Sequence, residues 1–168
     1  TNQILGTMIE KNLLKKINEQ IKLELDSAHI YLAMSIHFDA AGWAGFARWM
    51  YIQCQEEREH AKQLIDYVIT RGEKPEIGAV ADPKVKLEGV TPVFEMAYEH
   101  ECKVSKSINE IVALAIEKKD FATENFFRTF VNEQVEEEAT VAGIVDKLKL
   151  ASSEASFLIM DARLGERK

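Results

Sequence analysis

The sequence predicts an all-α fold: a four-helix bundle with one long crossover between the second and third helices, plus a short C-terminal fifth helix. Three observations predict it. Apolar residues recur at heptad spacing through four segments, each roughly 30 residues long. The breaks after the first and third segments are short, which favours antiparallel pairs. The break after the second is a run of about 20 residues punctuated by proline and glycine. Residues 1–168 are expected to form one domain, with the bundle over about 7–150 and the fifth helix over about 153–164.

The first helix is expected from about Thr7 to His37, with Leu14, Ile17, Ile21, Glu24, Ala28, Tyr31 and Ser35 inward. Phe38 to Gly42 forms a short connection. The second helix runs from about Trp43 to Arg71, where Gly72 supplies the cap. Its inward stripe is Phe46, Met50, Gln53, Glu57, His60, Leu64 and Tyr67. The linker from Gly72 to Thr91 contains Pro75, Gly78, Pro83 and Gly89 and has no sustained period. A helix of that length spans roughly 43 Å, and about 20 extended residues can run its full length. The linker can therefore return the chain to the far end, making the second and third helices parallel.

The third helix opens at Thr91-Pro92, a capping residue followed by a favourable first helical residue. It extends to about Lys119 with Phe94, Ala97, Glu101, Val104, Ile108, Ile111 and Ala115 inward. After a tight break at Lys119-Asp120 the fourth helix runs to about Leu150. Phe127, Phe130, Gln134, Glu137, Val141, Ile144 and Leu148 face inward. A short apolar helix from about Ser153 to Leu164 ends the chain.

The formal net charge is −7, from 28 acidic and 21 basic residues. That balance argues against nucleic acid as a partner and suits cations. Cys54 and Cys102 each fall inside a helix, far from any C-x-x-C spacing, and read as reduced core residues of a cytoplasmic protein. No apolar run approaches membrane-spanning length, so no membrane partner is expected. The first six residues lack the basic and apolar regions of a signal peptide.

Each long helix interrupts its apolar stripe with a carboxylate: Glu24, Glu57, Glu101 and Glu137. Glu24 lies 17 residues before Ala41 and Glu57 lies 16 after it; Glu101 and Glu137 each lie 18 residues from Lys119. Within each hairpin the carboxylates therefore share a level. His60 stands one turn after Glu57. Four carboxylates and an imidazole in a dry core cannot all stay ionised without cations. Hard oxygen ligands with a single nitrogen suit iron or manganese, and two divalent ions would neutralise the set. Tyr31, two turns from Glu24, is either a core tyrosine or a hydrogen-bond donor or electron source beside the metals. Gln134 is either a satisfied core amide or a partner of a metal-bound oxygen. Glu56, Glu133 and Glu136 neighbour the inward residues and could hold a further cation, or they are a solvated face. His29, His37 and His100 read as surface or packing residues.

The segments Asn18-Glu19-Gln20-Ile21-Lys22-Leu23-Glu24-Leu25, Gln55-Glu56-Glu57-Arg58-Glu59-His60, Tyr98-Glu99-His100-Glu101 and Asn132-Glu133-Gln134-Val135-Glu136-Glu137-Glu138 together resemble the bacterial-type non-haem ferritins, over essentially the whole chain. The resemblance implies iron storage in a homo-oligomeric cage of 24 subunits, with ferroxidase activity that oxidises Fe(II) with O2 or H2O2. It implies that Glu24, Glu57 and His60 ligate one iron and that Glu57 bridges to a second held by Glu101 and Glu137. Gln134 and Tyr31 would stand beside this di-iron centre as part of the catalytic apparatus. Glu56, Glu133, Glu136 and Glu137 would hold a third iron.

The fourth helix carries no second E-x-x-H and Arg58 follows Glu57, both unlike the haem-binding bacterioferritins. Haem is not expected. The fifth helix resembles the one that packs around the four-fold axis of the ferritin cage. Asp120 and Glu124 resemble residues lining three-fold channels, or are simply charges favoured at a helix N-terminus. Two other readings stand beside this one: a non-catalytic storage shell, and a di-iron oxidase or peroxidase that forms no cage.

Overall fold

The structure, a computed structural model, describes residues 8–83 and 86–168. Among the described residues there are five helices and no strand: α1 Lys11–Ala40, α2 Ala44–Thr70, α3 Thr91–Glu117, α4 Phe121–Leu150 and α5 Glu154–Leu164. α1 starts later than the hydrophobic pattern suggests, because the Glu10 carboxylate accepts from the backbone N–H groups of Asn12 and Leu13 (2.9 and 3.1 Å) and so caps the first turn at Lys11. Thr7 lies outside the described residues. At its other end α1 continues through Phe38 and Asp39 to Ala40, so the connection shrinks to three residues, Ala41 to Trp43. The inward register also starts on Leu13, which is wholly buried, whereas Leu14 is half-buried.

Three helices end in the same way. Trp43 donates to the Phe38 carbonyl and Gly42 to Asp39; Glu73 donates to Val68 and Gly72 to Ile69; Asp120 donates to Ala115 and Lys119 to Ile116. Each is the paired bonding of a Schellman cap, which needs a left-handed residue. Gly42 and Gly72 supply it with φ of 85° and 79°, while Lys119 is forced to 56°. The backbone of the α3–α4 turn thus accepts a conformation that costs an L side chain about 1 kcal/mol.

Side-chain contacts fix the topology. α1 meets α3 through Lys16–Glu110, Gln20–Ser107 and Ser27–His100, so these helices are antiparallel. α1 and α2 are antiparallel across their tight turn. α2 and α3 therefore run parallel. The crossover explains how: the N–H groups of Glu76 and Ala81 bond the side chains of Asn18 and Asp26, and the His37 ring bonds the Gly89 carbonyl. The linker thus travels along α1 from one end to the other, as its length anticipates.

The core has two apolar halves. One gathers Phe38, Phe46, Trp49, Phe94 and Leu148 near the α1–α2 turn. The other gathers Leu13, Ile17, Val104, Ile108, Phe127 and Phe130 toward the α3–α4 turn. Between them lies a belt of buried polar side chains: Gln20, Glu24, Ser27, Gln53, Glu57, His100, Glu101 and Gln134. The α3–α4 end is further tied by Arg71, whose guanidinium grips both oxygens of Asp120 (2.9 and 3.0 Å). Asp120 also caps α4 through the Thr123 N–H. Both of these roles of Asp120 are met within the chain.

α5 docks on the N-terminal end of α2. No side chain of α2's own flank caps that helix; the Asp161 carboxylate of α5 accepts from Phe46 N–H at 2.8 Å instead. The approach needs the absence of a side chain at Gly45, where a Cβ would lie 1.8 Å from the Asp161 carbonyl oxygen. Phe157, Met160 and Leu164 cover the apolar half beneath, while Leu158 and Ile159 remain exposed.

Gly45→Ala should accordingly lift α5 from the bundle. Hydrogen exchange over Glu154–Leu164 is the measurement, and loss of the Asp161 cap alone, about 1 kcal/mol, gives roughly a fivefold rise in opening. Unchanged α5 protection in this variant would contradict the docking.

Candidate metal centre

The four carboxylates come from four helices, and the 3.6-residue period brings each to the polar belt because the residues one and two turns away on the same face are largely buried. Glu24 and Glu101 are fully buried, Glu57 is 2% exposed, and Glu137 is half-buried. Glu24, Glu57 and His60 each offer a ligand atom within 4.8 Å of the others. His60 turns Nδ1 toward both carboxylates, 3.4 Å from Glu57 Oε2 and 3.9 Å from Glu24 Oε2. The opposite nitrogen lies 3.5 Å from the Glu133 carboxylate, and Phe130 packs edge-on against the ring.

A glutamine serves each carboxylate. Gln20 Nε2 donates to Glu24 at 2.7 Å, and the Gln20 amide is itself held by the Ser107 hydroxyl at 2.5 Å. Gln53 Nε2 donates to both Glu57 and Glu137, at 3.1 and 3.2 Å. Gln134 Nε2 donates to Glu101 at 3.1 Å and to Ser105 Oγ at 3.2 Å. The Tyr31 hydroxyl donates to the other Glu101 oxygen. These bonds orient the carboxylates but bring no positive charge. Among the described residues, Glu24 Oε2 is a buried side-chain oxygen without a hydrogen-bond partner. An orphaned carboxylate oxygen facing a second carboxylate and an imidazole nitrogen fits a hard cation, and costs stability without one.

Protonation follows the same logic. Burial, then the Glu57 charge, pushes the Glu24 carboxyl well above the ordinary range. Burial also raises Glu57, but hydrogen bonds from His60, Glu24 and Gln53 outweigh it and hold Glu57 below the usual value. Of the two, Glu24 is the more readily protonated. Burial and the Glu57 charge push Glu101 up to about 7 and raise Glu137. Burial lowers His60, yet the Glu57 hydrogen bond more than compensates and leaves the imidazole more basic than usual. Tyr31 is held firmly neutral, by burial and then by the Glu101 and Glu57 charges.

The residues expected at the centre are thus gathered in one belt. Glu24, Glu57 and His60 form a compact group, Glu101 is tied to Gln134 and Tyr31, and Glu137 shares Gln53 with Glu57. The outer tier is not gathered. Glu56 pairs with Arg167, Glu133 sits beside His60, and Glu136 is exposed. His100 is a buried packing residue, bonded to Ser27 at 2.6 Å and edge-on to Tyr31. Both cysteines are free; Cys54 is buried and Cys102 half-buried. The sequence pattern assigns no role to Gln20 and none beyond facing inward to Gln53, although each stands one turn before its carboxylate. Arg167 carries no such local signal.

A four-helix bundle whose helices each deliver a carboxylate to one level, with an E-x-x-H turn on the second, has the architecture of the ferritin-like bundles, in which side chains of facing helices project inward. The family model of the ferritin-like domain matches residues 14–151. The bacterial non-haem ferritin of Bacteroides fragilis is 44% identical over 160 residues, which cover 95% of this chain and all of that protein. The corresponding protein of Campylobacter jejuni is 37% identical over 91% of this chain and 92% of its own length. Among solved structures, an open-pore ferritin of the archaeon Archaeoglobus fulgidus superposes with a TM-score of 0.93 at 41% identity, covering 95% of this chain and 99% of that one. The chain belongs to the ferritin family, and within it to the bacterial type of non-haem ferritin.

The raised Glu24 and Glu101 set the pH dependence. A carboxyl with a raised value holds its proton below that value, and a metal must displace it. Divalent metal affinity should therefore climb as pH rises through about 7, the Glu101 value, with proton release largest below it. Calorimetry with Zn(II) in buffers of different ionisation enthalpy reads this directly. Glu101→Gln should remove the part of the release centred near 7. Equal release on the acid and the alkaline side of that value in the native chain would contradict the assignment.

Proposed function

We propose that this chain is an iron-storage subunit with ferroxidase activity, oxidising Fe(II) with O2 or H2O2 at a di-iron site inside each bundle. The observation that carries the reading is the Glu24–Glu57–His60 cluster with its unpartnered Glu24 oxygen. Fe(II) is the substrate. Glu24, Glu57 and His60 would hold the first ion, and Glu57, Glu101 and Glu137 the second, with Glu57 common to both. Each of the two Fe(II) ions gives one electron, so the pair reduces O2 to H2O2, or H2O2 to two H2O, with two protons taken up, and Fe(III) leaves as cargo for a mineral core.

The residues' own chemistry supports these roles. Entry of cations releases the protons that Glu24 and Glu101 hold, so two dications meet ionised carboxylates rather than acids. Gln20, Gln53 and Gln134 hold the carboxylates oriented before metal arrives, which would limit reorganisation when iron enters. Tyr31, bonded to Glu101, is placed to donate a hydrogen bond or an electron beside the second ion. Glu56, Glu133 and Glu136 stand apart in this structure and would have to converge to hold a third iron. No haem role is assigned.

We further propose that residues 1–168 form a single ferritin-like domain acting in the cytoplasm as a 24-subunit homo-oligomer. The exposed Leu150, Leu158, Ile159, Phe121 and Val135 are apolar surface that neighbouring copies could cover.

The test is Fe(II) oxidation with the double variant Glu57→Ala, His60→Ala. Rapid oxidation should fall by at least about 100-fold while the helical fold persists, since two ligands of the centre are gone. Persistence of the fast phase would show that oxidation occurs elsewhere. Size-exclusion chromatography after aerobic loading should return iron far beyond the named ligands' capacity on a very large particle; a few ions per chain on a small particle would refute storage.

A further inference from the structure

The residues that follow α5 reach back into the polar belt. The Arg167 guanidinium lies over the Trp49 ring with 4.6 Å between its central carbon and the ring centroid. One of its nitrogens donates to Glu56 Oε2 at 2.5 Å. The other donates to the Trp49 carbonyl at 3.3 Å and to Gln53 Oε1 at 2.9 Å. Arg48 secures the same segment by donating to the Arg167 carbonyl at 3.2 Å. The ring, the Glu56 carboxylate and the Trp49 carbonyl thus fix the guanidinium where it meets Gln53.

Its effect on Gln53 follows from donor chemistry. An amide can present either its oxygen or its NH2 toward a neighbour, and the two ends have almost the same shape. Guanidinium has donors only, so the amide oxygen must face Arg167. The NH2 is then committed to the other side, where Glu57 Oε1 and Glu137 Oε2 lie 3.1 and 3.2 Å away. The reversed amide would turn its oxygen onto two carboxylates and its NH2 onto a cation.

We infer that Arg167 is a positioning residue for the metal centre, acting through Gln53 to hold Glu57 and Glu137 in place for divalent metal. This rests on the reading of Glu57 and Glu137 as ligands. It also makes the docking of α5 a condition for a fully organised centre, because Arg167 reaches Gln53 only from the seated helix.

The experiment is an anaerobic Co(II) titration of the assembled protein, followed by visible absorption, with Arg167→Gln, Arg167→Lys, Gln53→Leu and the Arg167→Gln, Gln53→Leu double variant. Arg167→Gln should weaken Co(II) binding on the order of tenfold and shift the ligand-field bands, as loss of an outer partner does. Arg167→Lys keeps a donor for Gln53 and should recover part of the affinity. The double variant should bind no more weakly than Gln53→Leu alone, since both changes cut one path. Native affinity and spectrum in Arg167→Gln, or losses that multiply in the double variant, would overturn the inference while native Co(II) uptake leaves the metal reading standing. Failure of the native protein to take up Co(II) would overturn the metal reading, and this inference with it.

Discussion

The confinement of four carboxylates to one level of a buried core is the constraint to which the rest of the molecule answers. An unpaired carboxylate out of water costs several kcal/mol, and placing four together adds mutual repulsion. The chain meets this in three ways without metal. Glutamine amides donate to all four, Glu24 protonates more readily than Glu57, and the His60 imidazole becomes more basic beside Glu57. None of them gives Glu24 Oε2 a hydrogen-bond donor or a full positive charge. What remains is a Glu24–Glu57–His60 group that could hold a metal ion, built into the fold rather than added at its surface.

Holding such a belt requires the ends of the bundle to be rigid. The apolar clusters on either side supply most of the favourable burial, with Phe38, Phe46 and Phe94 in contact at one end and Phe126, Phe127 and Phe130 at the other. Three Schellman caps set the helix ends, even where Lys119 must adopt a left-handed backbone. The Arg71–Asp120 pair joins the end of α2 to the start of α4, beside the Tyr67–Thr123 hydrogen bond. These ties hold the bundle on both sides of its charged middle. The buried charge there is a stability cost accepted at a site.

Much of this is legible in the sequence, for a physical reason. Long helices carry their packing direction in a 3.6-residue period, which assigns Glu24, Glu57, Glu101 and Glu137 each to an inward face, and the counts to the two turns set a common level within each hairpin. The crossover can be read from its length alone. What the period does not carry is the detail of the helix ends. The start of α1 departs from the apolar pattern because Glu10 caps it, and the α1 stripe begins at Leu13, not Leu14. The outer carboxylates show the same limit: Glu56 and Glu133 are neighbours of the centre in sequence, but their partners aim one at Arg167 and the other at His60. Gln20 and Gln53 stand at helical spacing from their carboxylates, a local signal that the apolar stripe by itself does not turn into a role. Arg167 lacks even that signal, since its partners lie more than 100 residues away.

The fifth helix shows why long-range contacts of this kind matter to a bundle that is otherwise complete. α5 has no buried residue of its own, so apolar packing holds it less firmly than it holds α1 to α4. Polar contacts substitute: Asp161 caps α2, Gly45 lets the two backbones meet, and Arg167 is gripped by Trp49, Glu56 and Gln53. Every one of these falls on the first half of α2, the helix that carries Glu57 and His60. A helix tied so specifically to the element that carries Glu57 and His60 is coupled to them by geometry. Any contact that moves α5, including packing against another copy of the chain, is then transmitted through α2 to Gln53 and its two carboxylates.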